Sequence, residues 1–172
     1  MTPTETKTVQ VHRVYIKATP QAIWDAITKP EWTVKYGYAP VVDFELRKGG
    51  KFQAHPNEGM KAMGITHVIS EGEVLECDPP RRLVHTFHMT MDETTAAEAA
   101  TTLTYDIEPV RGGVTRLTVT HDLTGAPIFA AVSAGQAEDQ GAGGGWAEIL
   151  SGLKTLLETG EQMPFQSGPA NQ

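Results

Sequence analysis

The chain has 172 residues, with 21 acidic against 14 basic side chains and a formal net charge of −7. That length suits one domain with its own core, and the negative balance excludes nucleic acid and anionic membrane as main partners, since both bind through clustered Lys and Arg. A hydrophobic share of 40% sets the chain apart from disordered sequences, and the single cysteine, Cys77, allows no internal disulfide.

Met1 to Gln10 is polar and lacks a charged segment followed by an apolar one, so no signal peptide is predicted. The longest apolar stretch, around Ala126–Ala134, is far short of a membrane span. The expectation is a soluble, cytoplasmic protein. Residues 1–8 and 161–172, rich in Thr, Pro, Gln and Ser, are expected to be flexible tails around a domain over residues 9–160.

The β-branched and aromatic segment Val9–Lys17 predicts a strand. Thr19-Pro20 then predicts a helix start, with Thr19 as N-cap and Pro20 at the first helical position. Ile23, Trp24 and Ile27 form its apolar stripe, and Lys29-Pro30 ends it. Pro30 can open a second short helix over Glu31–Tyr36, carrying Trp32 and Tyr36.

Strands follow in succession. Val41–Leu46 and Lys51–Ala54 flank the turn Lys48-Gly49-Gly50. After a floppy insert at Pro56–Gly64 come Ile65–Glu76, the turn Asp78-Pro79-Pro80 and Leu83–Met89. A loop at Asp92–Ala100 leads to Thr101–Glu108, and Gly112-Gly113 makes the last hairpin into Thr115–Leu123. Leu103, Tyr105 and Ile107 alternate with Thr102, Thr104 and Asp106, and Leu117, Val119 and His121 alternate with Thr118, Thr120 and Asp122. This period of two marks an antiparallel sheet covered on one face.

The last element is a helix from about Gly144 to Thr159. Trp146, Ile149, Leu150, Leu153 and Leu157 fall on one face, and Gly160 supplies the stop. The predicted fold class is α+β: a curved antiparallel sheet of about six or seven strands around a long C-terminal helix, with two short helices after the first strand.

Four pieces in order carry a family resemblance. They are Val14–Trp24 with Lys29-Pro30-Glu31-Trp32, Phe44–Phe52, Glu73–Val84 and the helix opening Gly145-Trp146. Together they resemble the START-like (SRPBCC) superfamily and, within it, the branch of activator of heat-shock-protein-90 ATPase homologue-like proteins. The resemblance spans roughly Val9 to Gly160 and implies a helix-grip fold with a hydrophobic cavity between sheet and C-terminal helix. Its members include lipid carriers, polyketide cyclases and co-chaperone domains, so the fold alone does not assign an activity. The chain departs from the pattern at Pro56–Gly64, with Met60 and Met63, and at the Ala/Gly-rich Gly125–Gly145. Both segments are expected near the cavity mouth, as gates.

The expected ligand contacts combine apolar lining with a few oriented polar groups. Phe52, Phe87, Met89 and Leu150 supply the lining, and Trp32, Tyr36, Tyr105 and Trp146 bring rings with polar tips. His85 and His121 share faces with Leu83/Phe87 and Leu117/Val119, so inward orientation would set two imidazoles on an apolar surface. The alternative for each is a core histidine paired with a hydroxyl or backbone group.

No catalytic residues are assigned. Asp122 adjoins His121 and so faces the other way, and no GxSxG elbow exists. No metal site is expected, because HExxH and CxxC strings are missing and His85 and His88 point to opposite faces. Gly141–Gly145 lacks the Lys-Ser/Thr of a phosphate loop. No cofactor follows from the sequence. The expected function is binding of a small hydrophobic molecule. The alternatives are a co-chaperone acting on a heat-shock-protein-90-type ATPase, or a cyclase or hydrolase using the pocket histidines. A monomer or a homodimer is compatible with the sequence.

Overall fold

The computed structural model describes residues 6–164. The outer parts of the two predicted tails, residues 1–5 and 165–172, lie outside them. The first strand, β1 (Val9–Ile16), is anchored from Thr8, whose N–H donates to Thr124 Oγ1 at 2.9 Å and whose carbonyl accepts from Leu123 at 2.7 Å. Helix α1 (Pro20–Thr28) starts as its sequence predicts. The Thr19 hydroxyl accepts from Ala22 N–H at 3.1 Å and Pro20 occupies the first turn. A single turn of helix, α2 (Pro30–Thr33), follows, shorter than the predicted Glu31–Tyr36.

Seven strands form one antiparallel sheet. After β1 come β2 (Val41–Phe44), β3 (Lys51–His55), β4 (Ser70–Asp78), β5 (Arg82–Met89), β6 (Thr101–Arg111) and β7 (Val114–Asp122). The spatial order is β1-β7-β6-β5-β4-β3-β2, so the first strand joins the far edge beside the last, and the middle is a meander. The alternation expected on β6 and β7 is present: Leu103, Ile107, Leu117, Val119 and His121 are buried, while Thr102, Thr104, Thr118 and Thr120 stand half-exposed on the other face. A bulge after Val74 lets β4 bend over β5. Gly72 sits before that bend because a Cβ there would lie 1.9 Å from the Thr86 carbonyl oxygen.

Helix α6 (Gly145–Thr159) covers the inner face and ends at Gly160, whose φ of 76° is the left-handed stop that glycine allows. Lys154 Nζ donates to the Tyr15 carbonyl at 2.6 Å, tying α6 to the edge strand β1. The main core joins Ile16, Ile23, Trp24, Val74, Leu83, Leu117 and Leu153, with the sheet below and α1 and α6 above. A smaller cluster of Val42, Phe52, Ala54 and Ile69 fills the β2–β3 end.

Three predicted loops contain helix instead. The supposedly floppy Pro56–Gly64 holds α3 (Glu58–Ala62), because Asn57 Oδ1 accepts from Met60 N–H at 2.9 Å and caps it. Asp92–Ala100 holds α4 (Glu93–Ala96), capped the same way by Asp92 Oδ1 on Thr95 N–H at 2.8 Å. Gly125–Gly145 holds α5 (Pro127–Ser133) and a 3-10 turn at Glu138–Gln140. The strand predicted at Ile65–Glu76 begins only at Ser70, since Ile65 N–H returns to the Met60 carbonyl at 3.0 Å and closes the α3 turn.

Candidate functional site

The register of the sheet builds the site. Val74 lies opposite His85, His85 opposite Leu103, Leu103 opposite His121, and His121 opposite Gln10, so these side chains form one row across the inner face. The next inward row carries Leu83, Tyr105, Val119 and His12. With strands about 4.8 Å apart, the two buried histidines stand roughly 10 Å from one another, separated by Leu103. They are not a direct pair.

Aromatic rings crowd around both. His85 lies 4.4 Å from Phe52, 5.2 Å from Phe44 edge-on, and 5.9 Å from Tyr105 in a stacked arrangement, measured between ring centres. Phe87 lies 5.5 Å from Phe52 and 6.2 Å from His85, and it stacks on Phe129 of α5 at 5.4 Å. His121 meets Phe129 edge-on at 5.2 Å and Trp146 edge-on at 6.0 Å. Tyr105 meets Trp146 at 6.3 Å, closing the ring of contacts. T-shaped and tilted contacts at these separations suit the quadrupoles of the rings.

The two imidazoles differ in what they bind. Trp146 Nε1–H donates to His121 Nδ1 at 3.1 Å, which makes Nδ1 the acceptor and leaves the proton on Nε2. Nε2–H then donates to Thr101 Oγ1 at 2.8 Å, and the Thr101 hydroxyl donates onward to the Phe87 carbonyl at 2.8 Å. Every polar atom of this Trp146–His121–Thr101 relay has a partner. His121 is the satisfied core histidine that its apolar strand permits. Burial, reinforced by His85 and His12 and opposed by Asp122, pushes its pKa down to about 3.

His85 is only half satisfied. Its Nδ1 lies 2.8 Å from the Thr86 carbonyl oxygen and must be the protonated nitrogen, because a carbonyl can only accept. Nε2 is therefore a bare lone pair, and it has no hydrogen-bond partner although the residue is 1% exposed. Burial holds the pKa down at about 4, the Thr86 bond working in the opposite direction. A buried acceptor without a donor costs on the order of 1–3 kcal/mol, and such a group in a ring-lined interior is where a guest's donor could dock.

The residues selected from sequence divide accordingly. Phe52, His85, Phe87, Tyr105, His121 and Trp146 are brought together, with Leu150 in the adjoining core. Tyr36 packs against that core, but its hydroxyl is engaged, donating to the Ala26 carbonyl at 2.8 Å. Trp146 likewise uses its N–H internally. Met89 stands apart from both buried clusters at the end of β5. Trp32 lines a different place, a surface hollow of about 350 Å³ between α1–α2 and the end of α6, with Lys35 Nζ 5.0 Å above its ring and Leu157 beside it. A second hollow of similar volume lies by the β6–β7 turn against Thr19 and Pro20 and carries no charged or aromatic cluster except Arg111. Under α6 the rings of His85, Phe87, Tyr105, His121 and Trp146 pack against one another on the inner face of the sheet.

Phe44, one of the aromatics that the sequence spreads over elements surrounding the expected cavity, joins the ring cluster against Phe52 and His85, whereas sequence reasoning missed Phe129. Phe129 has no periodic signal, since α5 is one short apolar run, and the predicted loop hid it. Thr101 is also a member, legible only through the strand register that brings it to His121. Among the described residues, no group of three His, Cys, Asp or Glu could hold a metal ion, and no helix is long and apolar enough to cross a membrane.

Residues 17–158 match the model of one family, described as Activator of Hsp90 ATPase homolog 1-like protein. Similar solved structures include the Aha1 dimer from Colwellia psychrerythraea, at 20% identity over 89% of this chain and 98% of that one, with a TM-score of 0.60. An HSP90 activator from Plasmodium falciparum matches at 16% identity over 87% of this chain and 95% of that one, TM-score 0.59. A protein from Rhodobacter sphaeroides matches at 25% identity over 87% and 92%, TM-score 0.60. No curated protein matches the chain.

Proposed function

The chain belongs to the activator of Hsp90 ATPase homolog 1-like family, and within that family we propose that it binds a small hydrophobic molecule on the inner face of the sheet, under α6. The observation that carries this reading is the orphaned Nε2 of His85, a buried acceptor enclosed by Phe44, Phe52, Phe87 and Tyr105. Pockets that hold small ligands combine such lining with few polar anchors. The driving force is burial, about 25 cal/mol per Å² of apolar surface removed from water, less the cost of association.

A guest gains room by displacing Phe129. That side chain rides on α5, a seven-residue helix with Gly125 and Gly135 at its two ends, both with left-handed φ of 83° and 77°. These glycines give α5 hinges at either end, and its withdrawal uncovers Phe87 and His121, the first of which lies 6.2 Å from His85 and is the ring a guest must pass to reach Nε2.

Native mass spectrometry of the purified chain, followed by thermal shift with small aromatic compounds, tests the reading. A co-purified molecule or a concentration-dependent rise in Tm is the expected result. No bound molecule and no shift with any hydrophobic compound overturns it.

The family description and the Plasmodium neighbour favour a second reading, stimulation of a heat-shock-protein-90-type ATPase. Nothing in the ring cluster calls for such a partner. An ATPase assay with and without the chain separates the two: unchanged turnover sinks the co-chaperone reading and leaves ligand binding standing.

A further inference from the structure

Resting on the ligand-binding reading, we infer that the guest is a neutral aromatic alcohol of the phenol class, held by donation of its O–H to His85 Nε2. Three features of the interior narrow the chemistry to that class.

The first is the sense of the hydrogen bond. With Nδ1–H committed to the Thr86 carbonyl at 2.8 Å, Nε2 can only accept. A ligand carbonyl, ether or halide would face a lone pair with a lone pair. The guest must bring a donor.

The second is charge. Among the described residues, the buried polar set is Thr28, Thr33, Ser70, His85, Thr95, Thr101, Thr115, His121 and Ser133, without one Asp, Glu, Lys or Arg. A carboxylate in this interior would have no counter-ion, and an ammonium none either. Desolvating either charge costs far more than desolvating a hydroxyl. His85 does not rescue an acid, because burial disfavours its cationic form. Fatty acids and aliphatic amines, both charged at neutral pH, are excluded by the same composition.

The third is shape. The rings closest to His85 are Phe52 at 4.4 Å and Phe44 at 5.2 Å, with Tyr105 stacked at 5.9 Å. Flat partners suit such faces and edges better than flexible chains, which lose rotamer freedom on burial. A phenol is also a stronger donor than an aliphatic alcohol, which strengthens its bond to an imidazole nitrogen.

The test is calorimetric titration of the full chain at neutral pH with four matched probes: naphthalene, 2-methoxynaphthalene, 2-naphthol and 2-naphthoate. The expected order places 2-naphthol about tenfold tighter than naphthalene, as one buried hydrogen bond predicts. The methoxy compound should be no better than naphthalene, and the naphthoate weakest of all. His85→Phe should retain naphthalene and lose the preference for 2-naphthol.

Equal binding of 2-naphthol and 2-methoxynaphthalene, or a preference that survives His85→Phe, overturns the donor assignment while the hydrophobic site stands. Failure of all four probes overturns the site as well. Should His85→Phe fail to fold, imidazole ¹⁵N spectra of the native chain decide. Addition of 2-naphthol must shift His85 Nε2, and an unmoved resonance refutes the inference.

Discussion

Trp146 Nε1 donates to His121 Nδ1 across 3.1 Å, joining the first turn of α6 to the last strand of the sheet. That bond fixes the imidazole tautomer and, through Thr101, reaches the backbone of β5. Trp146→Phe preserves most of the ring volume and removes the donor, leaving Nδ1 buried and bare. The expected loss is about 1–3 kcal/mol in urea unfolding. The ¹⁵N spectrum of the native chain should show His121 protonated on Nε2. A spectrum showing Nδ1–H would refute the relay.

Stability should fall on mild acidification. His85 and His121 have folded pKa values of about 4 and about 3 against an ordinary 6.5, both depressed chiefly by burial. A histidine depressed in this way is neutral in the folded chain while its unfolded counterpart takes up a proton. Above pH 6.5 both forms are neutral and the histidines contribute no slope. Below it the unfolded state binds more protons, and each histidine removes up to about 1.4 kcal/mol per pH unit. The decline belongs to the window from pH 6.5 down to about 4 for His85, and continues to about 3 for His121. Asp122 and Glu158, whose pKa values are lowered by their hydrogen bonds, add their own losses only nearer the acid end. His85→Phe should remove a substantial part of the slope between pH 6 and 4.5, the remainder coming from His121 and from His12, whose pKa burial also lowers. Urea titrations across that range measure it, and an unchanged slope would place the titration elsewhere.

Much of this frame was legible in the residues. The alternation of Leu103, Tyr105 and Ile107 against Thr102, Thr104 and Asp106 announces the sheet and its wet face, because a pleated strand repeats every two residues. Thr19-Pro20 and Gly160 announce helix ends through their backbone chemistry. The short helices α3, α4 and α5 were not legible, since four to seven residues leave no room for a periodic apolar stripe. The difference between His85 and His121 was equally hidden. It depends on which neighbour each ring nitrogen meets, and Thr101, Trp146 and Thr86 meet them only after strand register and α6 packing are set.

Gly145 is the residue through which α6 meets α5. Its φ is 66°, and a Cβ there would stand 2.3 Å from the Ser133 carbonyl oxygen and 2.6 Å from that of Val132. Gly145→Ala therefore combines backbone strain with a clash against backbone. Gly160 has a similar φ of 76° but open space around it, so Gly160→Ala carries the conformational cost alone, about 1 kcal/mol. The expected result is a clearly larger loss at position 145 than at 160 in urea unfolding. Equal losses would mean that α5 yields freely to the new methyl group.

Glu98 holds α5 in place from outside the helix. Its carboxylate accepts from Ile128 N–H at 2.6 Å and from Phe129 N–H at 3.0 Å, two of the first-turn donors that a helix cannot satisfy internally. Negative charge at a helix start adds favourable interaction with the aligned peptide dipoles. Gln10 Nε2 supports the same helix from β1 by donating to the Ala130 carbonyl at 2.9 Å. The carboxylate is partly exposed, so Glu98→Ala should cost only about 1 kcal/mol in global stability. The local effect should be larger. Amide hydrogen exchange at Ile128 and Phe129 is expected to accelerate about tenfold, the response to roughly 1.4 kcal/mol of easier opening, while exchange in the β6–β7 pair stays near its native rate. Glu98→Gln, which keeps one acceptor oxygen but not the charge, should fall between. Native exchange rates at both amides in Glu98→Ala would show that the stacking of Phe129 on Phe87, at 5.4 Å, holds the helix without its clamp.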